Sequence, residues 1–222
     1  MQAATERSGR KARAQADGLT DTVTDSPADR FADALLYLAT AQAADPWKAW
    51  AQCFAGVLLM KQGAIAAGLS NLRTGLSALP LNAFHMNYTA FLADTAEALG
   101  CCDEHVKGLA TIEEALARAE HNEELWCMAE LLRIKGALLL RTDAGKDDAA
   151  PDQHFLESLD WARRQGALAW ELRTSVSRAQ WLRDHARIWE ARNLLGAVCD
   201  RFSEGFATAD LKAARDLLRE LT

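Results

Sequence analysis

Three arginines of this 222-residue chain, Arg133, Arg173 and Arg183, are its best candidates for recognition chemistry. A guanidinium is a planar fork of N–H donors that matches carboxylate or phosphate oxygens two at a time. These residues could hold an acidic peptide segment or an anionic effector. A plainer arrangement competes with that: Arg133 and Arg173 can pair with Glu130 and Glu171 across neighbouring helices, and surface ion pairs of this kind are common and weakly informative. Tryptophan is the second chemistry-bearing type. Of the seven, Trp126, Trp161, Trp170, Trp181 and Trp189 crowd the C-terminal half. They can wedge between helices or line an aromatic ligand pocket, and the sequence leaves both open.

Catalytic motifs do not assemble. Gly145-Lys146 is followed by Asp147, and Leu140 stands where a P-loop needs its first glycine, so no phosphate cradle forms. No G-x-S-x-G elbow and no H-E-x-x-H pair occurs. Asp143, Asp147, Asp148 and Asp152 with His154 lack the glycine and ligand spacing of a calcium loop and read as a solvated insertion. The histidines His85, His105, His121, His154 and His185 are dispersed, as surface or boundary residues are. Five cysteines, Cys53, Cys101, Cys102, Cys127 and Cys199, form an odd set without a C-x-x-C pair, which argues against a disulfide framework or a zinc site. Most read as small core residues, with an exposed thiol conceivable at Cys101-Cys102. The expectation is a non-enzymatic protein with no metal and no cofactor.

A formal charge of −6 and a pI near 5.4 disfavour a whole-molecule nucleic-acid binder, although a local basic stripe stays open. The longest apolar stretch, Cys53 to Met60, is far shorter than the roughly 20 residues that span a bilayer. Arg7, Arg10, Lys11 and Arg13 have no apolar run behind them, so the N-terminus is not a secretory signal and a cytoplasmic location is expected.

The elements that must position these residues repeat about every 40 residues. Gly56/Leu59, Ala96/Leu99, Gly136/Leu139 and Ala179/Leu182 begin four copies, spaced by 40, 40 and 43 residues. Gly68-Leu72-Gly75, Gly108-Ile112-Ala115, Pro151-Phe155-Ser158 and Ala191-Leu195-Val198 complete them, spaced by 40, 43 and 40. One short insertion in the third copy explains every departure. Where two helices cross closely only Gly, Ala or Ser leaves room for the facing backbone, and the residue a turn away must fill the groove. This small-then-large device is that of tetratricopeptide hairpins. With Pro80, the first copy matches that motif at five small or apolar positions and the terminal proline, without its usual opening aromatic.

The fold class expected is therefore all-α, a right-handed α-solenoid of tetratricopeptide-like hairpins. Residues 1–26 are polar and read as a disordered leader. Ser26-Pro27 opens a flanking helix over 27–44, with Phe31, Leu35, Leu36 and Leu38 on its apolar face. Hairpins follow at about 46–80, 83–120, 123–166 and 167–202, with Gly100 as a C-cap glycine. A helix over 209–221, capped from Thr208, covers the last apolar face. First helices of such hairpins line a concave groove. Projection of the repeat onto it exposes Trp50, Cys53, Val57, Met60 and Lys61, then Ala93 and Glu97, then Glu130, Arg133 and Arg141, then Arg173, Gln180 and Arg183. The groove grows basic toward the C-terminus.

Four stretches carry a more specific signal: Ala129-Glu130-Leu131-Leu132-Arg133-Ile134-Lys135-Gly136, Trp161-Ala162-Arg163-Arg164-Gln165-Gly166-Ala167, Trp170-Glu171-Leu172-Arg173, and Glu204-Gly205-Phe206-Ala207-Thr208-Ala209-Asp210-Leu211. They resemble the C-terminal helical-repeat region of large bacterial signalling ATPases, whose P-loop core is joined to a nucleotide-cyclase or winged-helix domain. Weaker similarity reaches back to about Phe31. Neither core nor output domain lies in this sequence, which reads as a truncated or free-standing repeat module. The resemblance implies a regulatory role and a protein or peptide partner, such as a P-loop ATPase, cyclase or winged-helix regulator, with no direct nucleic-acid or membrane contact. The alternative is a small-molecule effector sensor that uses the Trp/Arg-rich C-terminal copies.

Overall fold

The computed structural model describes residues 45–79, 87–142 and 149–221, preceded by Arg30, Phe31, Asp33, Ala34 and Tyr37. The expected leader, most of the flanking helix, Pro80, His85 and the acidic residues 143–148 lie outside the described residues. The five described positions of the flanking helix are helical. Phe31, expected on its apolar face, is exposed.

The described residues are all-α. The helices are α1 (Asp45–Lys61), α2 (Ile65–Ala78), α3 (Tyr88–Cys101), α4 (His105–His121), α5 (Met128–Leu139), α6 (Ala149–Arg164), α7 (Leu168–Asp184), α8 (Ile188–Cys199) and α9 (Ala209–Glu220). Consecutive helices pack as pairs: α1 with α2, α3 with α4, α5 with α6, and α7 with α8. The first members also touch in succession, α1 to α3, α3 to α5, α5 to α7, and α7 to α9.

Small residues sit where the helices of a pair cross. A Cβ added to Gly68 would lie 2.6 Å from the carbonyl oxygen of Gly56, and one added to Gly56 would lie 2.8 Å from that of Gly68. Backbone therefore touches backbone, which no larger residue permits. The large members of the pattern, Leu72, Ile112, Phe155 and Leu195, are fully buried. Among the described residues two large apolar clusters result, one running through α1 to α5 and one from Phe155 to Leu221, with a third, small one joining Leu69 to Ala98 and Leu99. In α9, Leu211, Ala214 and Leu217 supply the covering stripe, and the Thr208 hydroxyl accepts from the Leu211 N–H over a long 3.5 Å.

Five helix ends share one termination. The N–H groups of Ala64, Glu104, Glu124, Ala167 and Arg187 donate to the carbonyls five residues back at 2.8 to 2.9 Å. This is the bond of a Schellman turn, which requires a left-handed residue just before the donor. Gly63 and Gly166 fill that place twice, but Asp103, Glu123 and Ala186 adopt it with φ of 61°, 56° and 59°. Gly100 is not a C-cap. It lies inside α3, buried, where a Cβ would come 2.6 Å from Leu138 Cδ2 of α5. The left-handed Glu123 also delays the third pair, which enters through a 3-10 turn at Leu125–Cys127 instead of a helix from Glu123.

Cys53 and Cys127 are buried, and that burial pushes both thiols up to about 12. Cys101 is exposed. Among the described residues no helix is long and apolar enough to cross a membrane.

Candidate functional site

Because α1, α3, α5 and α7 stand side by side, equivalent positions of the four copies face one another. They enclose a cavity of about 340 Å³ that is open on one side. One wall row is Val57, Glu97, Ala137 and Gln180, separated by the same 40, 40 and 43 residues as the crossing positions. Beside it run Asp94, Ile134 and Ser177, and at its rim Lys61, Cys101 and Arg141. A smaller space of about 130 Å³, bordered by Arg133, Arg173, Ser177 and Asp210, continues the groove toward α9.

Two guanidiniums and two carboxylates alternate along one flank. Arg133 donates from Nε and Nη2 to the two oxygens of Glu130, each at 2.8 Å, and from Nη2 to Glu97 at 2.5 Å. Arg173 Nη1 stands 2.5 Å from Glu130 and its Nη2 3.8 Å from Glu97. Burial works against the Arg133 charge, yet Glu130 and Glu97 hold its guanidinium above its ordinary value. Burial likewise opposes the Glu97 charge, and Arg133, Arg173 and Lys61 overcome it, holding its carboxyl below the usual range. Arg133 is only 7% exposed. Both forks are thus occupied within the chain. Glu171, the other expected partner, instead binds Arg163 at 2.8 Å and Arg201 at 2.5 Å.

Of the groove residues read from the sequence, Met60, Lys61, Glu97, Arg133, Arg141, Arg173 and Gln180 line the cavity, and Glu130 ties its two arginines together. Two stand apart. Trp50 is half-buried in an aromatic cluster with Trp47, Phe54 and Phe91. Arg183 pairs with Glu220 at 2.9 Å and Asp184 at 3.1 Å at the far end of α7. The C-terminal tryptophans are spread out as well. Trp126 packs near Trp170, Trp161 lies under Arg164, Trp181 stacks with His185, and Trp189 is exposed.

The residue missed in the sequence is Asp94. Its register partners one copy away on either side are Phe54 and Ile134, both apolar, so an acid at this position was the one available signal. Burial, reinforced by the neighbouring Glu97, pushes its carboxyl up to about 7 against the pull of Lys61 and Arg173. Among the described residues no donor reaches it. Lys61 meets no carboxylate among them either, and Arg141 donates from Nη1 to the Gly100 carbonyl at 2.9 Å and pairs with no acid there.

The cavity's hydroxyl, that of Ser177, donates to the Arg173 carbonyl at 3.2 Å. What the arrangement offers is binding through one acid and two cations that have no ionic partner among the described residues, over an apolar floor. Set against family models, curated proteins and solved structures, the chain matches none of them.

Proposed function

We propose that this chain is a non-enzymatic regulatory module, a right-handed α-solenoid of tetratricopeptide-like hairpins. Its concave groove binds a segment of a protein partner in a cytoplasmic bacterial signalling or transcription-control ATPase system. The reading is supported by the succession of contacts from α1 to α3, α5, α7 and α9, which is how stacked hairpins adjoin. The observation that carries it is the cavity wall, built from one equivalent position in each of four copies and open on one side. Recognition of an acidic segment then belongs to Lys61 and Arg141 rather than to Arg133 and Arg173, which Glu97 and Glu130 occupy.

A photo-crosslinking residue at Gln180, in the groove, is the direct test, with one at exposed Leu156 on α6 as the outer control. The expected result in bacterial extract is a discrete adduct from position 180 only, abolished by Lys61→Glu with Arg141→Glu. Identical adducts from both positions, or none from 180, would remove the groove assignment.

A further inference from the structure

We infer that the cavity between α1, α3, α5 and α7 binds a small zwitterion with an apolar side chain, an α-amino acid of the leucine or methionine type. Asp94 takes its ammonium group, and Lys61 and Arg141 take its carboxylate. This rests on the groove being the ligand-facing surface proposed above, but not on any protein partner.

The charges decide the ligand class. Glu97 and Glu130 cancel Arg133 and Arg173, leaving one acid and two cations without ionic partners among the described residues. A simple anion would answer Lys61 and Arg141 yet leave the half-buried Asp94 carboxylate, already disfavoured by desolvation, without a donor. A simple cation would answer Asp94 and leave both bases. A zwitterion satisfies all three. Its body would lie on Val57, Met60, Ile134 and Leu138, which form the apolar lining. The volume of about 340 Å³ is at the small end of ligand pockets, fitting a metabolite rather than a nucleotide.

The site also sets a pH dependence. Asp94 is faced by Lys61 from α1, Glu97 on its own helix, Glu130 from α5 and Arg173 from α7. Burial and the two glutamates hold its carboxyl near 7, so an ammonium ligand must ionise it and releases a proton on binding. Affinity therefore rises as the pH passes upward through 7.

The full chain is titrated with L-leucine and L-methionine, and with two trimmed probes: 3-methylbutylamine, which lacks the carboxylate, and 4-methylpentanoate, which lacks the ammonium. An amino acid at about a hundredfold excess over its Kd is expected to raise Tm by about 5 °C. Each trimmed probe should bind at least about tenfold more weakly, since each forfeits one charge-assisted contact. Asp94→Asn should fold and lose leucine binding by a similar factor; if it fails to fold, the exposed Lys61→Gln gives the equivalent loss. The proposal is overturned if no amino acid binds, or if 4-methylpentanoate binds as tightly as leucine, which would make the cavity a plain anion site. Either failure leaves the crosslinking result at Gln180 unaffected, so the two readings fall separately.

Discussion

Arg133 on α5 and Glu97 on α3 meet at 2.5 Å, and each also engages a further charge: Arg133 binds Glu130, and Glu97 faces Arg173 on α7. Three successive first helices are joined by this one ionic chain. Removing its buried cation would leave two acids, Glu97 and Glu130, to share Arg173 alone. Arg133→Met is expected to cost about 3 kcal/mol. Adding Glu130→Gln should recover at least about 1 kcal/mol of it, because the two positions are coupled. Urea denaturation of the two single variants and the double variant measures both figures, and strictly additive losses would dissolve the network.

Asp94 gives the opposite sign. Its folded carboxyl lies near 7, against about 3.9 for an unfolded aspartate. The folded state thus holds the proton more tightly. Stability from this group is full below about pH 4 and is lost as the pH rises to about 7. Asp94→Asn should therefore be more stable than the parent by about 2 kcal/mol at about pH 8, a gain that vanishes below about pH 4. Urea midpoints over that range check it, and a gain independent of pH would point to packing instead.

The close crossing of α1 and α2 separates two glycines that look alike in sequence. Gly68→Ala would drive a methyl to 2.6 Å from the Gly56 carbonyl oxygen and is expected to cost about 2 kcal/mol or more. At Gly196 on α8 nothing lies within 4 Å of an added Cβ. There the same change should stabilise by about 0.5–1 kcal/mol through helix propensity alone. Thermal melts of the two variants should move in opposite directions.

The shared turn offers a third contrast. Ala186 holds φ 59° where Gly166 serves the equivalent turn at φ 64°. A left-handed alanine costs about 1–2 kcal/mol, offset in part by the lower unfolded-state entropy of a non-glycine residue. Ala186→Gly should raise Tm by about 2 °C, and Gly166→Ala should lower it by a similar amount. A fall in Tm for Ala186→Gly would show that its left-handed backbone carries no strain.

The all-helical class and, among the described residues, the pairing of consecutive helices were legible because close crossings demand small residues at fixed intervals, and Gly56, Ala96, Gly136 and Ala179 display that demand openly. Gly100 misled because glycine serves both turns and close approaches, and only packing against Leu138 tells which. The true left-handed positions Asp103, Glu123 and Ala186 carry no type signal at all, since a common hydrogen bond fixes their geometry. Most of the cavity wall followed from the register. Arg183 and Trp50 did not, because their outcome depended on Glu220 and on the aromatic ring of Phe91, contacts between separate helices that periodicity does not encode. Asp94 carried only a faint signal, because its nearest register equivalents Phe54 and Ile134 are apolar while the fourth, Ser177, is polar.

The wall row and the crossing row are adjacent in the chain, and within this one sequence they have diverged very differently. Gly56, Ala96, Gly136 and Ala179 have all remained small, whereas Val57, Glu97, Ala137 and Gln180 are apolar, acidic, small and amide. Sterics holds the first row fixed and leaves the second free to vary. Such a scaffold can acquire new specificities by ordinary point substitution along its wall, copy by copy, without reopening the problem of how its helices fit together.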